Sequence, residues 1–189
     1  VLLSAATDLK RHVESVQSLS DLASMAFCQP TMDGIEIRQI EDETQATSYA
    51  MTLVITDEGV VRLHVCRAAL VRRSPSGERV RGINDGALVQ LAAQTLFVAG
   101  SVYEAAGYHG PVDIGYHLAG AAGAPSTAWG NLIPRPEAIR PVPDEAPGTV
   151  LRTQASGLGP AEYRRTTRLM FERLLRVIRP QAAPDPLGV

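Results

Sequence analysis

Three periodicities of apolar residues divide the chain. Leu9, Val13, Val16, Leu19, Leu22 and Ala26 recur at steps of three and four, with Lys10, Arg11, Glu14 and Gln17 off that stripe. This spacing predicts an amphipathic helix over about 4–27. Pro30 and the Asp33–Gly34 pair end it, and the stretch 1–30 reads as a linker or dimer element.

The pattern then shortens to two. Ile35 and Ile37 alternate before a slip at Ile40, and "TSYAMTLVITDEGVVRLHVCRAALVRR" carries two β-rich runs around "DEG". Gly59 suits the positive φ of a tight hairpin turn. Counting by twos sets Met51, Leu53 and Ile55 on one face, opposite Val65, Leu63 and Val61. A further turn falls at Ser74 to Glu78.

From 84 to 106 the spacing is helical again, with no charged side chain between Gly86 and Tyr103. Asn84 or Asp85 is placed to cap its start, and Gly107 or Gly110 to end it. A helix apolar on all sides is one buried on more than one side. Val112, Ile114, Tyr116 and Leu118 alternate as a strand within 111–119. Residues 120–160 lose regularity apart from a short strand near Thr149 to Thr153. A last helix spans 160–179, with Tyr163, Thr167, Met170, Leu174 and Ile178 as its apolar stripe, and 181–189 reads as a frayed tail.

These elements predict an α+β fold. An antiparallel sheet with a central β-hairpin, drawn from 35–82 and 111–119, is covered by the long apolar helix and flanked by N- and C-terminal helices. Residues 31–180 form one domain, as a length of 189 residues with 45% hydrophobic and 20% charged side chains allows.

Charge and composition narrow the classes of function. A net charge of -2 supplies no long-range attraction for nucleic acid or an anionic membrane. Lys10 is the one lysine among eighteen basic residues, so a lysine-based phosphate loop or Schiff base would have to rest on it. This arginine bias, with abundant Ala, Gly and Pro, points to a GC-rich bacterial genome. Two distant cysteines, Cys28 and Cys66, make no disulfide framework, and the expected compartment is the cytoplasm. The opening on valine is read as a piece of a larger protein.

"GYHGPVDIGYHLAGAAGAPS", from Gly107 to Ser126, holds five of the sixteen glycines. A dinucleotide loop needs G-x-G-x-x-G between strand and capped helix. Here the spacing differs, Pro125 follows, and no Gly-Lys-Ser/Thr is present. The stretch is read as a helix-to-strand-to-loop passage.

Candidate chemistry lies on the polar strand faces. His64 and Cys66 point away from Leu63, and Asp113 and His117 away from Ile114. If those strands are neighbours, the four converge as a zinc site or an acid–base pair; the alternative is a half-solvated polar face. His109 is placed to satisfy carbonyls at the exit of the long helix, and His12 falls on the polar side of the first. Arg164, Arg165, Arg168, Arg173, Arg176 and Arg179 line the last helix and could meet phosphates. Glu162 and Glu172 among them favour a solvated face. Trp129 is read as pinning its loop to the core.

The order of hairpin, long helix, "GYHGPVDIGYHLAGAAGA" and "EYRRTTRLMFERLLRVI" resembles the C-terminal region of actinobacterial Schlafen AlbA-like or ATP-binding proteins. The matching residues are Gly110, Gly115, Gly120, Tyr163, Thr166, Thr167 and Arg168, within about 48–179. The resemblance implies an accessory domain, the nucleotide-binding part lying upstream. The leading expectation is a non-catalytic regulatory or assembly domain of a larger bacterial protein, forming a homodimer through its first or last helix. The alternatives are a small-ligand or metal-dependent enzyme using the polar sheet face, and a nucleic-acid contact through the arginine helix.

Overall fold

The computed structural model describes residues 26–39, 51–65, 69–73, 79–126, 142 and 148–178. It is an α+β structure with eight strands, two helices and a short 3-10 turn among the described residues. The predicted first helix lies outside them except at its end. There Ala26–Thr31 forms strand β1, paired antiparallel with β2, Gly34–Gln39. The helical spacing had been carried too far: the Asp33–Gly34 turn closes a hairpin, and Pro30 is tolerated because β1 is an edge strand with a partner on one side only.

β2 pairs with β3, Met51–Thr56, which pairs with β4, Val61–Val65, in the order β1-β2-β3-β4. The β3–β4 register joins the two sets that counting by twos makes counterparts, with Met51 opposite Val65, Leu53 opposite Leu63 and Ile55 opposite Val61. Gly59 takes φ 83° in the turn. Because side chains alternate, Ile35, Ile37, Leu53, Ile55, Val61, Leu63 and Val65 share one face of this sheet. Arg62 and His64 lie on the other face and are exposed.

The single predicted sheet is instead three. β5, Ala69–Arg73, and β6, Arg79–Ile83, form a hairpin, and β7, Pro111–Tyr116, pairs with β8, Thr149–Gln154. β8 is the short strand expected near Thr149, and it lies beside β7. The β7–β8 ribbon buries Ile114 and half-buries Val112, Tyr116 and Leu151, leaving Asp113, Val150 and Arg152 exposed.

Helix α1, Asp85–Ala105, starts at Asn84, whose side-chain oxygen accepts from the Ala87 amide at 3.1 Å. It ends in a Schellman motif: Gly107, at φ 67°, donates to Glu104, and the Tyr108 amide donates to Tyr103 at 2.8 Å. The Tyr103 and Tyr108 rings, 5.7 Å apart, supply the apolar contact that often closes this motif. Backbone amides thus take the carbonyls expected to fall to His109, which is exposed.

α1 is long and apolar enough to cross a membrane by length and composition. Here it packs against β4, the 3-10 turn Ala155–Leu158 and helix α2, Tyr163–Ile178. Val89, Ala93 and Gly100 are buried, and they lie on one side at helical spacing. α2 turns Thr167, Met170, Phe171, Leu174 and Ile178 inward, and Phe171 stacks on Tyr116 at 4.3 Å. Ile83, Val89, Leu158, Leu174 and Ile178 are almost wholly buried and form the centre of the core.

Candidate functional site: an apolar cleft between sheet and helix

The glycine-rich segment is a fastening for the N-terminus of α1. Gly120 and Gly123 have φ of 64° and 73°, folding the loop so that Ala121, Ala124 and Ser126 are buried. Ile83 donates its amide to Pro125, and Val142 and Ala124 bond through the backbone. Ser126 Oγ donates a short hydrogen bond to the Asp85 carboxylate, which has no exposed surface. A carboxylate at a helix start also meets the positive end of the helix dipole. The position that a phosphate would seek is thus taken by the chain's own carboxylate.

The polar candidates are distributed as follows. His64 lies on β4, Asp113 on β7 and His117 just after β7; all three are exposed. Among the described residues β4 pairs with β3 and β7 with β8, so the three reside in separate sheets, while all three border the same cavity. Cys66 lies outside the described residues. Among the described residues there is no group of three or more His, Cys, Asp or Glu arranged to hold a metal ion. Asp113 faces Arg152, which donates from Nε and Nη2 at 2.7 Å each. That fork holds the Asp113 carboxyl below its ordinary value and raises the Arg152 guanidinium.

The arginines of α2 stand on its exposed side. Arg164 donates to the Tyr163 hydroxyl at 3.1 Å and lies over its ring. Arg165 reaches Glu162 at 3.7 Å, and Arg176 pairs with Glu172. Arg168 and Arg173 are exposed on the same helix. Arg179, His12 and Trp129 lie outside the described residues.

A further feature is a cavity that the strand and helix spacing does not reveal. A cavity of about 2420 Å³ is bordered by the four-stranded sheet, α1, β7 with the loop to Ala121, and Met170 and Phe171 of α2, and His64, Asp113 and His117 all lie on its border. Ile35, Ile55, Val61 and Leu63 contribute its sheet wall, and Leu88, Leu91, Thr95 and Val102 its helix wall. The helix-wall residues are spaced three, four and seven apart, so they lie on one face. Leu63, Leu88, Leu91 and Val102 are only half-buried. Thr95 satisfies its hydroxyl internally, donating to the Leu91 carbonyl at 2.8 Å. Asp57, Glu58 and Glu104 bring charge to the border near the β3–β4 turn.

Two buried polar atoms on the β7–β8 ribbon are under-satisfied, one of them on Tyr116, which lines the cavity. Tyr116 Oη and Thr149 Oγ1 are buried with no hydrogen bond of good geometry, and burial raises the Tyr116 hydroxyl above its ordinary value. The two residues face each other in register across β7 and β8.

Sequence reasoning passed over the cleft because each of its walls reads as ordinary core. The usable signal was α1 itself: a helix apolar all round, with one face on α2 and the 3-10 turn, needs cover for the other. Compared with known proteins, the chain matches no family model, no curated protein and no solved structure.

Proposed function

We propose that this chain is a non-catalytic regulatory and assembly domain that takes an apolar polypeptide element into the cleft between the four-stranded sheet and α1. The observation that carries the reading is the size and lining of that cleft. At about 2420 Å³ it exceeds the roughly 300–1,000 Å³ of pockets that enclose small molecules. An α-helix about 10 Å across, rising 1.5 Å per residue, fills on the order of 120 Å³ per residue. The whole space corresponds at most to a helical element of about twenty residues, and the part walled by the sheet and α1 to a shorter one.

The energetics point the same way. Fully covering a Leu, Val or Ile side chain stabilises by about 1.5–3 kcal/mol, and Leu63, Leu88, Leu91 and Val102 are half-covered. A few tenths of a kcal/mol, at most about 1, per side chain remains available to an occupant. Charged residues at the border and apolar residues within follow the pattern of a helix-in-groove site. In a larger protein such a cleft would join the domain to a neighbouring segment or subunit.

A hydrophobic reporter dye and a generic amphipathic helix of about twenty residues test this reading on the full chain. The expected result is saturable binding of one or both, weakened at least tenfold by Leu91→Glu with the circular dichroism unchanged. Binding that ignores both Leu91→Glu and Leu63→Glu would place the site elsewhere.

A further inference from the structure

We infer that the chain pairs with a second copy of itself, the outer face of α2 in one protomer docking on the acidic end of the sheet–α1 junction in the other. The contact lies at the rim of the cavity and does not depend on what enters it.

Three segments build the acidic end. Asp57 donates its amide to the Asp33 carbonyl at 2.8 Å, which sets the β1–β2 turn against the β3–β4 turn. The Tyr103 hydroxyl donates to the Gly59 carbonyl, which adds the last turn of α1. Asp33, Asp57, Glu58 and Glu104 are all exposed there. Among the described residues no cation pairs with any of the four. The last turn of α1 has no basic residue, so the negative end of its dipole adds to the same field.

This surface is also apolar. Met32, Val60 and Tyr108 lie on it, 99%, 42% and 44% exposed, and are three of the five exposed large hydrophobics among the described residues. Exposed apolar side chains grouped in this way mark an interaction surface, and surrounding charge of one sign selects a partner of the other.

The complement stands on α2. Arg165, Arg168, Leu169, Glu172, Arg173 and Arg176 recur at helical spacing and share one face. All six are exposed, while Met170, Phe171 and Leu174 are buried on the opposite face. Leu169 has Arg165 one turn before it and Arg173 one turn after. Arginine meets carboxylates with a fork of N–H groups and stacks on aromatic rings, which suits the four carboxylates and the Tyr108 ring. Arg165 and Arg176 already meet Glu162 and Glu172, with all four side chains exposed. Surface pairs of that kind are weak enough to give way to a partner's carboxylates.

One chain does not satisfy itself. α2 packs its buried face toward α1, so its arginine face points away from the sheet–α1 junction. Each copy carries both halves, and two copies about a twofold axis make the contact twice. A net charge of -2 leaves little overall repulsion between them.

Sedimentation of the full chain tests the pairing. The unmodified chain should run as a dimer that high salt weakens, and Leu169→Glu should loosen it about tenfold or more. Glu58→Arg with Glu104→Arg makes the acidic end basic, and Arg165→Glu with Arg173→Glu makes the α2 face acidic. Each variant alone should run as a monomer with unchanged circular dichroism. Mixed in equal amounts they should form a heterodimer, because each contact then joins opposite charges again. Misfolding cannot produce that restoration. A chain that is monomeric at high concentration overturns the inference, as does a mixture that stays monomeric. A dimer lost with Leu91→Glu and kept in both charge variants also overturns it, since the second copy then enters the cavity. Should either charge variant unfold, Glu58→Gln with Glu104→Gln and Arg165→Gln with Arg173→Gln replace them, and a dimer untouched by both is the contrary result.

Discussion

The Tyr103 hydroxyl donates a hydrogen bond to the Gly59 carbonyl oxygen at 2.8 Å, tying the last turn of α1 to the turn between β3 and β4. One side chain thus anchors the four-stranded sheet to the helix at one end of the cleft. Tyr103→Phe keeps the ring and removes the tie, which should cost about 1 kcal/mol in urea unfolding. A loss well above that would mean the ring packing had also been disturbed.

The same group makes stability sensitive to alkali. Burial, with the nearby Tyr108 second, raises the Tyr103 hydroxyl above its ordinary 10.0. A group raised in the folded state contributes fully below its unfolded value and loses that contribution as pH rises through the folded value. Unfolding midpoints should therefore fall above pH 10, and fall less in Tyr103→Phe, where the raised Tyr116 hydroxyl still contributes. Superimposable alkaline profiles for the two chains would show that Tyr103 is not the sensitive group.

Gly100 offers a contest between two effects. Alanine is favoured over glycine in a helix by about 1 kcal/mol. Yet a Cβ at Gly100 would collide with the Leu158 carbonyl, where α1 lies against the 3-10 turn. Backbone cannot rotate away as a side chain can, and forced overpacking costs about 1–3 kcal/mol. Gly100→Ala should destabilise. Gly86→Ala, whose Cβ would meet nothing closer than Asn84 Oδ1 at 3.7 Å, should be neutral or slightly stabilising in the same thermal melt.

Asp113 and Arg152 predict an acid-side effect of the opposite sign. The carboxyl is held below its ordinary 3.8 by the Arg152 hydrogen bonds first and its charge second. A depressed carboxyl contributes stability above its unfolded value and loses it as pH falls through the folded value. Arg152→Ala should move the Asp113 carbon resonance titration upward toward the ordinary value. Since both side chains are exposed, added salt should weaken the difference. An unmoved titration would show that the pair does not form in solution.

What was legible in the chain followed the reach of each signal. Period-two spacing set Ile55 and Val61 on facing strands of one hairpin, and Asn84 or Asp85 marked the start of α1, because strand pairing in a hairpin and helix caps depend on residues close in sequence. The stripe from Leu9 to Ala26 overran into β1, since its last residue suits either period and only pairing with Gln39 decides it. The partner of β7 was missed because β8 lies more than thirty residues on, beyond an irregular stretch with no spacing to read. Asp85 and Ser126 are forty-one residues apart, and nothing local announces a buried pair. His64 and Asp113 belong to separate sheets and border one cavity, a relation that strand spacing alone does not show.

The claim that the cleft receives a polypeptide element is tested most directly by methyl nuclear Overhauser spectroscopy on selectively labelled Leu and Val. The account predicts cross-peaks from Leu63, Leu91 and Val102 methyls to aliphatic side chains that belong neither to the sheet nor to α1. Cross-peaks confined to Leu63 with Leu91 and Val102 would mean that the two walls close on each other, and would contradict it.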